Sequence, residues 1–393
     1  MGFTKWIQTS PNWKIVPTSV IFGERSEKSS DEDVHLTPSQ KLGVIPQKQY
    51  IEKTGAQVVK NRLGTDNMKR VLPGDFISHL RSFQGGLEHS TVPGKVSNAY
   101  TVLKPRREIE GKYYSYLFKS SRFIEGLANF TDQLRDGQTI NFSRLALFSL
   151  PLPPLPAQRA IADYLDRETA ELDDMRTDLD KMERLMTERR QAIKAKYFES
   201  STSYTAVKVK YVATINTGSG DTQDAIEDGQ YPFYVRSDTV LSSNQWEFNG
   251  PAVLTAGDGA GVGKIFHYAE GKFKVHQRVY CIHGFRDVDP MYFFHAFSYL
   301  LPKEVLYGGA SSTVPSLRMH MLEDLQIPLP PLAEQRRIAG EINRETSEIN
   351  LMLEDIKKLR NLLAERRAAV ISAAVTGQID IPASPTTKDE SHA

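Results

Sequence analysis

One cysteine, Cys281, is all that 393 residues contain. A single thiol excludes an internal disulfide framework and a cysteine-rich metal centre, and reads as a small buried apolar residue in a reducing compartment. HExxH and CxxC pairs are missing and the nine histidines are scattered, so no metal is expected. No apolar run is long enough to span a bilayer, no charged-then-apolar leader opens the sequence, and Trp6 defeats the myristoylation pattern that Gly2 would invite. The expectation is a cytoplasmic chain with no membrane partner. Strong net charge is missing too, at +1 overall, but the charge is unevenly divided: residues 1–155 carry a net +7 and residues 199–327 a net −4. The basic first part suits a phosphate-rich partner, while the acidic later part does not by itself.

Glycine and proline are absent from two further stretches, Leu165 to Ile193 and Ile342 to Val370. Both belong to a duplication. The segment beginning LPLPPLPAQRAIADYL at Leu150 returns as IPLPPLAEQRRIAGEI at Ile327, at a constant spacing of 177 positions without a gap, and roughly half the matched positions are identical. In each copy an extended Pro-rich lead-in (Pro151, Pro153, Pro154, Pro156; Pro328, Pro330, Pro331) gives way to a helix, because proline lacks the amide donor and restricts the residue before it. Leu165, Leu172, Met175, Leu179, Met182, Met186 and Ile193 fall in steps of three, four or seven, and Ile342, Ile349, Met352, Ile356, Leu359, Leu363 and Val370 repeat the steps. Such a stripe is a heptad seam, and a helix of roughly 40 residues is about 60 Å long. Where the stripe breaks, both copies place a glutamate early (Glu168, Glu345) and an arginine late (Arg189, Arg366). Antiparallel pairing would join Glu168 to Arg366 and Arg189 to Glu345 about a pseudo-two-fold axis, whereas parallel pairing would set like charges together.

The remaining sequence reads as two β-rich modules of mixed strand and turn. The expected boundaries are a first module over 1–150, a Pro-rich junction and long helix over 151–200, a second module over 201–327, a second junction and helix over 328–376 with a stop at Thr376-Gly377, and a tail over 377–393. Short apolar stretches such as Ile15 to Val20 and Ser97 to Leu103 alternate with turn signals such as Pro73-Gly74, and Tyr113 to Leu127 and Tyr292 to Leu301 suggest aromatic helices. The fold class is α+β.

In the first module Arg81, Gln84, Lys95 and Asn98 gather donors near an aromatic and flexible backbone, a chemistry suited to phosphates and base edges, though a ligand-free polar turn fits equally well. In the second, Lys264, Gln277 and Arg278 are the corresponding candidates, since Gln and Arg can pair bidentately with adenine and guanine. The run Gly257 to Lys264 invites a phosphate-loop reading, but Asp258 stands where that pattern needs glycine and Ile265 where it needs Ser or Thr.

Two modules, each closed by LPPLPAQRAIA or LPPLAEQRRIA before a long helix, with AAVTGQIDI following, make the sequence resemble the specificity subunits of Type I restriction-modification enzymes over nearly its whole length. The resemblance implies that the modules are target-recognition domains reading the two parts of an asymmetric DNA site. It further implies that the helices pair antiparallel as a coiled coil, and that Pro153, Pro154, Gln158 and Arg159, with Pro330, Pro331, Gln335 and Arg336, form the module–helix junctions. It implies double-stranded DNA, two methyltransferase subunits and, for cleavage, motor-endonuclease subunits as partners. S-adenosylmethionine and ATP then belong to those partners, and this chain is a non-catalytic subunit with no cofactor of its own. Neither Pro-Pro pair has the flanking residues of an adenine methyltransferase site; leucines flank both. The competing readings are a coiled-coil scaffold that binds only protein and, more remotely, a nucleotide-dependent enzyme.

Overall fold

The computed structural model describes residues 12–56, 68–79, 86–130, 141–199, 204–307 and 316–381. Arg81, Gln84, the stretch Gln57 to Val59 and the final dozen residues lie outside the described residues. The chain forms two compact units: residues 1–178 with 359–393, and residues 179–358. Each of the two 44-residue helices, Leu155–Phe198 and Leu332–Val375, gives one part to each unit.

In the first unit a four-stranded sheet runs Phe22–Glu24, Val102–Pro105, Phe76–Ser78, Leu87–His89, accompanied by the hairpin Leu36–Ser39/Gly43–Pro46 and the pair Met68–Val71/Gly94–Ser97. The sheet packs on helices Gly111–Lys119 and Ser121–Phe130 through buried Phe22, Phe76, Tyr114, Phe118 and Phe123. One aromatic helix was expected from Tyr113 to Leu127; the chain instead breaks at Ser120, whose ψ of 143° is extended and whose hydroxyl accepts the Phe123 amide to start the second helix. Residues Ile15 to Val20 likewise divide, into the strand Lys14–Pro17 and the helical turn Thr18–Ile21.

The second unit holds two four-stranded sheets. One runs Thr214–Thr217, Val279–His283, Ala252–Ala256, Phe266–Ala269, and the other Val240–Ser243, Tyr231–Tyr234, Lys272–Val275, Phe248–Asn249. Its apolar helix Pro290–Tyr307 packs Tyr292, Phe293, Ala296, Phe297 and Leu301 into the core.

The Pro-rich lead-ins are extended, and they are strands. Ser149–Leu152 pairs antiparallel with Lys14–Pro17, and Gln326–Pro328 with Ala206–Lys208, so each module is closed by pairing its first strand with its last. Pro156 departs from the expectation: the helix begins at Leu155 and takes Pro156 into its first turn, where no amide donor is needed. The second helix ends as expected, at Val375, with Gly377 at a φ of 69° and the Gln378 amide bonded back to Ala373.

The helices pair antiparallel within each unit. In the first, Glu168 meets Arg366 at 4.0 Å, Arg367 reaches Asp173 at 3.0 Å, and Leu165 and Leu172 are buried. In the second, Glu345 receives Lys196 at 3.4 Å and the Tyr197 hydroxyl at 2.9 Å, not the expected Arg189, while Ile342, Ile349 and Ile356 are buried. The substitution follows from reach: Arg190, not Arg189, turns toward the partner helix, bonding Asn350 at 3.3 Å. The heptad seam is buried unevenly. Leu179, Met186, Ile193, Leu363 and Val370 are half-buried, whereas Met175, Met182, Met352 and Leu359 stay about half exposed (49% at Met175), so these four do not act as buried seam residues. They are matched 177 positions apart, and so are the equally exposed Leu185 and Leu362.

Candidate nucleic-acid interface

Both junctions are locked by the same glutamine. Gln158 is buried; its Nε2 donates to the Pro153 carbonyl at 2.9 Å and its Oε1 accepts the Glu110 amide at 2.9 Å. Gln335 repeats this with the Pro330 carbonyl at 2.8 Å and the Asp289 amide at 2.7 Å. One amide side chain thus ties the lead-in, the helix start and a loop of the module before it, using both its donor and its acceptor. The next residue adds a surface pair to the same loop, Arg159 to Glu108 at 3.1 Å and Arg336 to Asp289 at 3.8 Å. Pro153 and Pro330 supply the carbonyls, and the Pro154 and Pro331 carbonyls accept the Gln158 and Gln335 amides. These residues set each module on its helix.

In the second module the exposed ends of several strands bring polar groups together. The turn after Ala252–Ala256 carries Asp258, whose carboxylate receives Arg236 at 2.6 Å on one oxygen and Arg278 at 2.8 Å on the other. Burial pushes the Asp258 carboxyl up, but the two guanidinium groups outweigh it and hold it below its ordinary value. Gly261 lets the turn lie against the Arg236 carbonyl, which a Cβ would approach to 2.7 Å. Next to this clamp the His276 Nδ1 accepts the Arg278 amide at 3.0 Å, and Gln277 donates to Asp221 at 3.1 Å. Burial, then the nearby Arg236, lowers the His276 pKa, so at neutral pH the ring is uncharged with its proton on Nε2. A concavity of about 290 Å³ lies between Thr222, Arg236, Asp258 and His276.

Gln277 and Arg278 therefore share one exposed surface, as their sequence adjacency suggests, but Lys264 does not join them; it lines a different cavity, beside Arg190. Arg236 and Asp221 escaped the sequence reading, for they stand 42 and 57 residues before Arg278 and no local spacing links them. Asp258 is noticeable in sequence only as the residue that spoils a phosphate loop, yet it is the centre of the clamp.

In the first module Lys95 proves to be a strut. It is 2% exposed, and its ammonium donates to the Ser30 and Asp31 carbonyls at 3.0 and 3.2 Å, so it holds that loop in place and is not available to a phosphate. The strand Gly94–Ser97 is buried on both faces, with Val96 in the core and Lys95 under the Ser30–Asp31 loop, while Asn98 sits exposed in the turn that follows. The buried Glu88 carboxylate faces His79 at 3.0 Å and Lys119 at 2.6 Å. Gly86 is required where it stands, with a φ of 66° and the Phe118 carbonyl 1.9 Å from any Cβ.

The family model described as the Type I restriction modification DNA specificity domain matches residues 39–184 and again 202–359. The Type I restriction enzyme EcoDI specificity subunit of Escherichia coli is 29% identical over 177 residues, 44% of this chain and 38% of that protein. The EcoBI specificity subunit of the same organism is 33% identical over 88 residues, 22% of this chain and 18% of that one. The matched stretches thus span well under half of these relatives' length. Among solved structures, a chain from work on complex assembly and conformational transition of the type I R-M system superposes with a TM-score of 0.66 at 16% identity, covering 95% of this chain and 100% of that one, a likeness of fold. No helix among the described residues is long and apolar enough to cross a membrane.

Proposed function

Because this chain belongs to the Type I restriction modification DNA specificity family, we propose that it reads a bipartite, asymmetric duplex DNA sequence, one part per module, and directs partner subunits that carry out the chemistry. The observation that carries this reading is the pairing of a repeated scaffold with unlike readers. The glutamine locks recur 177 positions apart and the central sheets of the two modules share one strand order, while the sequences of their strands and turns differ. Repeated supports with different reading edges are what a two-part asymmetric site requires.

In the second module the clamp of Arg236, Asp258 and Arg278 supplies the reading chemistry. A guanidinium held by a carboxylate has lost rotamer freedom before DNA arrives, and it retains free N–H donors for O6 and N7 of guanine. Gln277 beside it can pair with adenine. In the first module exposed Asn98 is the described candidate, and Arg81 and Gln84, outside the described residues, are the further candidates.

Extrusion and methylation of an adenine are assigned to two methyltransferase subunits carrying S-adenosylmethionine, and cleavage to ATP-bearing motor-endonuclease subunits. Half-exposed Met175, Met182, Leu185, Met352, Leu359 and Leu362 give the helices apolar surface for such partners. The test is methylome sequencing of a host that expresses this chain with a methyltransferase partner. One bipartite adenine-methylated motif is the expected result, and exchange of residues 1–150 for another module should change only one part of it. A change in both parts or in neither, or an active partner that leaves no mark, would overturn the proposal.

A further inference from the structure

The second unit contains a cavity of about 710 Å³ that the DNA-reading role does not use. Its walls come from the end of the first long helix (Arg190, Lys194), the loop residues Asp238 and Lys264, the helix Pro290–Tyr307 (Phe294, His295, Ser298, Lys303) and the second long helix (Thr346, Asn350).

The charges on these walls do not balance. Lys303 is taken by Glu199 and Tyr299. Asp238 is the sole carboxylate on the described walls, and it faces Arg190. Lys194 is 7% exposed, donates to Ser298 Oγ at 2.7 Å and lies over the Phe294 ring, and no described carboxylate pairs with it. A buried ammonium without a counter-charge is costly and unusual, and in a cavity it marks the place of an anion. His295 provides a second, independent sign. It is 4% exposed, its Nε2 bonds Asn343 Oδ1 at 2.8 Å, and its Nδ1 has no partner. With the proton on the nitrogen facing Asn343, Nδ1 is an orphaned acceptor on a residue that lines the cavity. The half-buried faces of Phe266 and Phe294 complete the walls.

We infer that this cavity binds a small phosphate ester with a flat apolar body, of nucleotide size. Its phosphate lies against Lys194, Arg190 and Lys264, a hydroxyl or amino group donates to His295 Nδ1, and its ring packs on Phe266 or Phe294. Burial, followed by the charge of Arg190, lowers the Lys194 pKa to about 7, and burial, followed by Lys194, lowers that of His295 to about 4. An incoming anion favours the charged ammonium, so binding takes up a proton and weakens as pH rises through about 7.

The test is a thermal-shift and calorimetric titration of the full chain with inorganic phosphate, AMP, ATP and a short DNA duplex, at pH 6 and pH 8.5. Saturating AMP or ATP should raise the Tm, with at least tenfold tighter binding at pH 6 and proton uptake seen by comparing buffers of different ionisation enthalpy. Lys194→Met should abolish both the shift and the pH dependence while raising the Tm of the ligand-free chain, which also shows that the variant folds. His295→Phe should weaken AMP more than inorganic phosphate. No response to any of the three phosphates, or an equal response in Lys194→Met, overturns the inference. So does a Lys194-dependent response confined to the duplex or to a co-purified methyltransferase subunit, which would give the cavity to a macromolecule. A blank methylome leaves this outcome unaffected, so the two proposals fail separately.

Discussion

Gln158 and Gln335 hold the junctions with both polar atoms of their amide groups engaged in the buried interior. Each is buried with both amide atoms bonded, and leucine would leave a carbonyl and a backbone amide without partners. Gln158→Leu is expected to cost about 1–3 kcal/mol per unsatisfied group, and chemical denaturation of the full chain would measure it. A change of similar size in DNA specificity is expected at Arg278. Arg278→Ala should forfeit about 1–3 kcal/mol of discrimination, visible as degeneracy at one position of the methylated motif with the other part unchanged. The clamp also fixes the pH dependence. His276 has a depressed pKa, so the fold favours the neutral ring; the contribution of its Nδ1 to the Arg278 amide is complete above the ordinary histidine value and is lost as pH falls below it. Second-module reading should therefore be flat from neutral pH upward and decline as pH falls below the ordinary histidine range, as motif-specific binding across a pH series would record. Asp258, depressed among carboxylates, keeps its two arginines well below that point.

Among the elements, the long helices were the most legible in sequence, and the reason is periodicity: an apolar stripe of 3.5-residue period over a long run free of glycine and proline leaves few alternatives. The strand character of the lead-ins was half legible, because proline declares an extended chain but does not name its pairing partner; Lys14–Pro17 lies more than 130 residues before Ser149–Leu152. The clamp was hidden for the same cause, since Arg236, Asp258 and Arg278 meet only where strand ends from two different sheets come together. Lys95 misled because residue type suggests a phosphate contact, whereas a loop distant in sequence covers it and takes its ammonium. Within the helices, burial separates positions that the heptad treats alike. Leu172→Ala and Ile349→Ala should each cost roughly 2–5 kcal/mol, whereas Met175→Ala and Met352→Ala, half exposed in the chain, should cost well under that and instead impair co-purification with a methyltransferase. The Glu168–Arg366 pair, at 4.0 Å with Arg366 mostly exposed, is expected to contribute about 0–1 kcal/mol, so reversing Glu168 alone should barely move the denaturation midpoint.

On the scale of the whole molecule the distribution of charge limits what the chain can do alone. A net of +1, with +7 over residues 1–155 set against −4 over residues 199–327, is a small electrostatic footprint for a protein proposed to hold two segments of duplex. Each phosphate neutralised contributes a slope of about −0.9 in log affinity against log salt, so a ligand with few phosphate contacts binds weakly and with little salt dependence. The second module is the sharper case, because its proposed reading surface spends one carboxylate on two arginines and the module as a whole is acidic. Phosphate contacts must then come mainly from the first module or from the partner subunits. Binding of a duplex carrying the methylated motif, measured across a salt series for the chain alone and for its complex with methyltransferase, distinguishes these sources. The complex is expected to show a slope steeper by several units, and neutralising Lys or Arg residues of the first module should flatten the slope of the chain alone. Equal slopes for chain and complex would mean that the partners hold no phosphates, and that the basic first module anchors a reader whose second half contributes base contacts almost exclusively.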